Sequence, residues 1–401
     1  MTASVSAPTV VAPVFDDLVG QERVIAELRQ AVSAADATLR GEARAGMTHA
    51  WLFTGPPGSG RSTAARAFAA ALQCAQQGCG ACAACHTVLA GTHADVEVVR
   101  PSGLSYGVAD TRELVRRAAL SPAGGRWQVI VLEDADRLTE YAANALLKAI
   151  EEPPPRTVWL LCTPSADDLV PTIRSRCRLM TLRTPPAAAV EEVLVRRDGV
   201  DRATAAFAAR AAQGHIGRAR RLATDSDARK RRAEVLQLPV QVGDLGACLK
   251  AAAALVEAAE EEAQAAAAEI DAGETDELRR ALGEGSTGKG VKGMARGSEA
   301  ALKDLERRQK TRSKRMQRDA IDRALVDLTS FYRDVLAVQV RSGVPLTNDE
   351  LRSVIVQLAQ RSSAEQSLRR IEAILACREA IDANVAPLLA VEAMTLALRA
   401  D

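Results

Sequence analysis

The chain has 401 residues, 47% hydrophobic and 26% charged, which is the composition of a folded globular protein with room for two or three domains. Lys and Arg total 52 against 51 Asp and Glu, so there is no overall basic excess, and attraction to nucleic acid rests on local clusters. Aromatic residues make up only 3%, which leaves the cores to Ala, Leu and Val.

The opening stretch, MTASVSAPTVVAPVF, has no basic start and no long apolar run; residues 1–14 are expected to form a flexible tail and not a signal peptide. From 15 to 185 strand and helix signals alternate. HAWLFTG (49–55), ADVEVVRP (94–101), WQVIVLEDAD (127–136) and TVWLLCTP (157–164) are the strand candidates. Helical patterns separate them at 61–73, 110–120 and 139–152. Uniformly apolar strands alternating with helices predict an α/β domain, a parallel sheet covered on both faces.

GPPGSGRST (55–63) follows the first strand and opens the first of these helices. That context makes it a phosphate-binding loop: Gly55, Gly58 and Gly60 let backbone N–H groups curl round a phosphate at a helix N-terminus. Ser62 stands where a hydroxyl would hold Mg²⁺, followed by Thr63. Arg61 stands where lysine is usual, and a planar guanidinium is not interchangeable with an ammonium. Bound ATP or ADP with Mg²⁺ is therefore an open question. VIVLEDAD ends a strand in Glu133 and Asp134, where one carboxylate would support Mg²⁺ and the other polarise a water. The usual order is Asp then Glu; here it is reversed.

Cys74, Cys79, Cys82 and Cys85 follow the phosphate loop's helix. Two C-x₂-C steps in succession predict a structural Zn²⁺ site with four thiolates, and His86 is a rival fourth ligand. Cys162, Cys177, Cys248 and Cys377 are expected in cores.

Beyond about residue 185 the pattern is helical to Asp401. The Ala-rich run 247–270 is broken by Lys and Glu and does not span a membrane, and a cytoplasmic protein is expected. Residues 283–298 are Gly-rich and expected to be mobile, and 286–320 hold eleven Lys/Arg against four Asp/Glu. The basic run 303–319 fits either contact with DNA phosphates or a solvated helix face, the commoner outcome.

The motifs together resemble the AAA+ clamp-loader family, nearest its delta-prime members. The residues that carry the resemblance are FDDLVGQERVIAEL (15–28), the phosphate loop, the four cysteines and 112–138. NALLKAIEEPP (144–154) and TIRSRC (172–177) complete the set. The resemblance implies an AAA+ domain over 15–185 with a zinc module at 74–86, a helical lid over 186–235 and a helical collar over 236–401. It implies that Val19, Gly20 and Gln21 cup an adenine and that Thr163 is a sensor. It also implies that Arg176 of SRC is an arginine finger acting in the ATP site of a neighbouring subunit. The lid sensor arginine falls on Gly217, with Arg218 about 100° away round the helix. The implied assembly is the DNA polymerase III clamp loader, with gamma/tau and delta subunits, the beta sliding clamp and primed-template DNA as partners. Three ATP-handling positions are altered while Arg176 is intact, which favours a ring member that does not itself hydrolyse ATP. An active stand-alone AAA+ ATPase is the alternative. A zinc-dependent DNA-binding module is disfavoured, because no basic or aromatic residues flank the cysteines.

Overall fold

Four of the five strands of the central sheet are the runs read from the sequence: β1 (Ala50–Thr54), β2 (Val96–Val99), β3 (Gln128–Leu132) and β4 (Thr157–Thr163). The fifth, β5 (Arg178–Thr181), is an edge strand whose RLMT pattern gives no apolar run. The order is β2-β3-β4-β1-β5 and every pairing is parallel. The structure is a computed structural model that describes residues 13–42, 45–101, 105–124, 126–282 and 295–399, without the side chains of 269 and 295–298. The expected tail falls mostly outside the described residues, as does most of the expected mobile segment. The last four residues of that segment, 295–298, are instead helical.

Alternation decides which face each side chain meets. Trp51, Phe53, Val129, Val131, Val158, Leu160 and Cys162 join one core cluster. Leu52, Ile130, Leu132, Trp159 and Leu161 join the other. Helices α1 (Glu22–Leu39) and α2 (Arg61–Gln73) cover the first face. Alanines at 64, 65, 67, 69, 70 and 71 are almost fully buried, so α2 approaches its neighbours with little side-chain bulk. A short helix, α3 (Ala83–Ala90), follows the cysteines. The other face is covered by α4 (Val108–Ala118), α5 (Glu140–Glu151) and α6 (Pro171–Arg174). Helices α7 (Ala187–Arg196), α8 (Arg202–Ala211) and α9 (Ile216–Thr224) complete the first compact unit, which ends at Thr224.

The second unit begins at Asp225, not at 236, because α10 (Ser226–Gln241) is one continuous helix with an Asp225 N-cap. Its core joins α10 to α11 (Leu245–Ala281), α12 (Ala295–Gln339), α13 (Arg352–Arg361), α14 (Ala364–Asp382) and α15 (Pro387–Arg399). The pairs Glu262–Arg323 and Glu274–Arg312 show that α11 and α12 run antiparallel. Among the described residues no helix is long and apolar enough to cross a membrane.

One buried charge ties this unit together. The Arg232 guanidinium donates to Asp327 at 3.0 Å, to Asn348 at 2.5 Å and to Glu350 at 2.8 Å. Asp334, fully buried, accepts from the Asn348 backbone N–H at 2.7 Å and from its Nδ2 at 2.9 Å. Removing one partner of such a network strands a buried charge. Arg232→Ala is expected to lower stability by about 3–5 kcal/mol, read as an earlier midpoint of urea unfolding by far-UV circular dichroism; an unchanged midpoint would contradict it.

Candidate nucleotide-binding and zinc sites

Parallel strands bring the loops that follow β1, β3 and β4 to one edge of the sheet. Gly55 there has φ +148°, and a Cβ on it would lie 2.6 Å from the Leu182 carbonyl oxygen and 2.7 Å from Ser59 Oγ. Gly60, at φ +92°, is the N-cap of α2. Ser62 is half-buried in the first turn of that helix and Thr63 is exposed. The phosphate-loop shape is therefore present, with its N–H groups at a helix N-terminus.

Around the loop the side chains are committed to one another. Glu133 is only 4% exposed. Its Oε1 accepts from Arg66 Nη2 at 2.6 Å, and its Oε2 pairs with Arg100 Nε. Asp134 follows at φ +51°, in the left-handed region that non-glycine residues rarely adopt. The Thr163 hydroxyl, fully buried, donates to the Ser165 carbonyl at 3.0 Å. Arg61 Nη1 and Asp136 Oδ1 are buried with no hydrogen-bond partner, and burial pushes the Asp136 carboxyl up.

Gln21, 4% exposed, stitches the turn before α1 to this edge. Its Nε2 donates to the Arg183 carbonyl at 2.5 Å and to the Ser59 carbonyl at 3.4 Å, while its Oε1 accepts from the Arg183 N–H at 3.1 Å. Val19 is half-buried, and a Cβ on Gly20 would lie 3.2 Å from Pro186 Cδ. The turn thus spans the phosphate loop and the start of the helical triplet.

His215 caps α9: its Nδ1 accepts from the Arg218 N–H at 3.2 Å. It also lies against the phosphate loop, since a Cβ on Gly58 (φ +85°) would be 2.5 Å from His215 Cβ and 2.7 Å from its Cα. A Cβ on Gly217, the position aligned with a sensor arginine, would be 3.4 Å from His215 Cε1. The imidazole therefore fills space between that position and the loop.

Arg176 is on the surface between α6 and β5. Its Nη1 donates to the Thr172 carbonyl at 2.7 Å and its Nη2 pairs with Glu151 Oε1 at 2.5 Å, with the two side chains 38% and 39% exposed. Sequence reasoning missed Arg66, Arg100, Glu151 and the placement of His215. All four depend on contacts distant in sequence.

The four cysteines meet. Their Sγ atoms lie within 4.8 Å of one another, the one such group of three or more His, Cys, Asp or Glu among the described residues. Cys74 Sγ is 3.6 Å from Cys79 Sγ and 3.7 Å from Cys82 Sγ. A tetrahedron of thiolates about 2.3 Å from zinc has edges of about 3.8 Å, so these residues fit the metal. His86 is exposed and outside the group, so the residues placed to hold a metal are the four cysteines. Burial pushes the Cys74 thiol up, but N–H groups of Cys79, Gly78 and Gln76 outweigh it and bring it down to about 7. Burial pushes Cys85 well up. The other cysteines pack as expected: Cys162, Cys248 and Cys377 are buried and Cys177 half-buried.

The module is anchored to its surroundings. The Val14 N–H donates to the Gly78 carbonyl at 3.3 Å, and Gln77 Nε2 donates to Asp36 of α1 at 3.0 Å. Zinc held by Cys74, Cys79, Cys82 and Cys85 would therefore stabilise the first unit as a whole. One Zn²⁺ per chain is expected by elemental analysis, and Cys82→Ala is expected to lose it and melt earlier. Native protein without metal would contradict the assignment.

Residues 34–186 match the family model described as DNA polymerase III, delta subunit. The delta-prime subunit of Pseudomonas aeruginosa DNA polymerase III is 40% identical over 159 residues, 38% of this chain and 48% of its own length. The gamma/tau subunit of Mycobacterium tuberculosis is 35% identical over 187 residues, 45% of this chain and 31% of its own. The chain thus spans from about a third to about a half of the length of these relatives. A solved gamma subunit-related protein from Thermotoga maritima aligns over 92% of this chain and 98% of its own, at 16% identity and a TM-score of 0.38. Over residues 34–186 and the stretches aligned with these subunits, the α/β half of the chain is thus similar to DNA polymerase III clamp-loader subunits, delta-prime among them.

Proposed function

We propose that the chain is a delta-prime-type subunit of a DNA polymerase III clamp loader. In this reading it is a ring member that does not hydrolyse ATP and lends Arg176 to the ATP site of a neighbouring gamma/tau subunit. With delta it would take part in ATP-dependent placement of the beta clamp on primed-template DNA in the cytoplasm.

The observation that carries the reading is a contrast between two charged groups. Glu133, at the end of β3, is buried and held by Arg66 and Arg100. Freeing it to orient a water means breaking two ion pairs to a buried carboxylate. Arg66 and Arg100 are themselves 30% and 56% exposed, so the cost falls below that of a fully buried pair, about 3–5 kcal/mol, but above that of an exposed one. Arg176 is paired only with half-exposed Glu151, and an exposed pair is worth about 0–1 kcal/mol. A neighbour's phosphates can take Arg176 from Glu151 far more easily than a water can recruit Glu133. Thr163 and the filled space at Gly217 support the same reading: the first spends its hydroxyl on Ser165, and the second holds the His215 ring. The glycine loop itself remains compatible with a bound phosphate group. Hydrolysis is what its surroundings oppose.

A finger meets charge that develops on the transferred phosphoryl group and contributes on the order of 10³–10⁵ in rate where hydrolysis depends wholly on it. Other interfaces of the ring would keep their own fingers, so the loss in the assembly is partial. In a complex reconstituted with gamma/tau and delta, Arg176→Ala is expected to preserve assembly by gel filtration. It is expected to lower DNA- and clamp-stimulated ATPase partially and to slow clamp loading more. Arg176→Lys is expected not to rescue, because a point charge cannot reproduce the planar fork. Normal loading by the Arg176→Ala complex would contradict the finger role.

A further inference from the structure

Helices α11 and α12 extend past the core of the second unit as a two-helix arm. The core cluster takes residues up to Ala259 on α11 and from Ala320 on α12. Beyond them only a thin seam is buried, with Ala263 and Ala267 on α11 and Leu305 on α12. At about 100° per residue, Leu305, Gln309, Arg312 and Met316 share the face of α12 turned to α11. Arg312 is used there: it pairs with Asp271 and with Glu274 at 2.7 Å, and Gln309 donates to the Asp271 carbonyl at 3.0 Å.

The opposite face of the same stretch is a row of cations. Lys303, Arg307, Lys310 and Lys314 follow one another at steps of four, three and four residues, and all four are exposed or half-exposed. With Glu306 and Thr311 they line a shallow hollow of about 350 Å³. Lys303 pairs with Glu299 at 3.1 Å; Arg307, Lys310 and Lys314 pair with no acid among the described residues. The exposed acids Asp276 and Glu277 are on α11, the other helix of the arm. Charges useful for holding the arm together are thus on the inner face, and the outer row has no role in the fold.

We infer that this row is a docking surface for the phosphate backbone of duplex DNA. The eleven residue steps from Lys303 to Lys314 extend about 16 Å, the rise of about five base pairs at 3.4 Å each, so the row can follow one strand. Single-stranded DNA is matched less well, because binding it draws on stacked aromatic side chains and residues 303–319 contain none. A lipid surface is matched less well too, because α12 shows no apolar stripe beside the cations, only Glu306 and Thr311. The choice of DNA rests on the clamp-loader reading above, while the surface is far in sequence from the motifs that carry that reading.

The test is binding of a short labelled DNA duplex to the full chain, titrated between about 50 and 200 mM salt. Neutralising one side chain that meets a phosphate flattens the plot of log affinity against log salt by about one. Arg307→Gln with Lys310→Gln and Lys314→Gln is expected to flatten the slope by about three and to weaken binding at least ~10-fold at the lowest salt. Lys310→Gln alone is expected to flatten it by about one. A control with the same change of charge at exposed residues elsewhere on the unit, Arg361→Gln with Arg369→Gln and Arg399→Gln, is expected to leave the slope unchanged. An unchanged slope in the triple variant, an equal flattening in the control, or binding to phosphatidylserine vesicles with none to DNA would overturn the inference. Gel filtration of the same variants with gamma/tau separates the two claims: failure of the wild-type chain to assemble counts against the clamp-loader reading and leaves the DNA result standing.

Discussion

A carboxylate taken out of water must be paired, and the pairing of Glu133 with Arg66 and Arg100 sets what this chain can do. The residue directly follows β3, a strand with every side chain buried, and its own N–H donates to the Val99 carbonyl at 2.9 Å, so its backbone cannot shift without disturbing the sheet. Arg66 reaches it from α2, one turn into the helix that the phosphate loop opens. Arg100 reaches it from just beyond β2. The Tyr106 hydroxyl donates to the Glu133 carbonyl at 2.5 Å and to the Val99 carbonyl at 3.0 Å, which fixes the same corner from the backbone side. These contacts make Glu133 a joint between two strands and a helix.

The same division between buried commitment and exposed availability recurs through the molecule. The four-cysteine module is bound into the first unit through Val14, Gln77 and Asp36, and a metal held by all four thiols would keep no open ligand position for chemistry. Arg232 and Asp334 lock the second unit internally. The residues left available are at edges: Arg176 at the corner of α6 and β5, and the cation row on the outer face of α12. On the proposed reading, a subunit that works by presenting groups to neighbours would draw on such a rigid interior and on loosely held surface charges.

Legibility in the sequence followed how local each cause is. β1, β3 and β4 are readable because a doubly covered parallel strand is apolar at nearly each position, and the helix expected over 61–73 coincides with α2. The cysteine site is readable because its four ligands lie within twelve consecutive residues, 74–85, and chain geometry alone brings them close. β5 is not readable, because an edge strand with exposed Leu179 and Thr181 carries no apolar run. The helix that moves the unit boundary to Asp225 gives no pause in a region already reading as helical. Swapped acids are visible as a pattern, but the reason they matter is not: Arg66 and Arg100 are 67 and 33 residues from Glu133 and meet it only in the folded sheet. The role of His215 is hidden for the same reason, since its contact with Gly58 depends on how α9 returns to the loop.

Whether the chain turns over ATP by itself is the most direct question. Steady-state phosphate release by the purified chain, with Mg²⁺ and saturating ATP, is expected to stay at the background of a protein-free control and to be unaffected by Ser62→Ala. Turnover on the order of one per second, within the range of ordinary enzymes, and abolished by Ser62→Ala, would show that Glu133 or a substitute is free to act and would contradict the reading of this chain as a non-hydrolysing ring member.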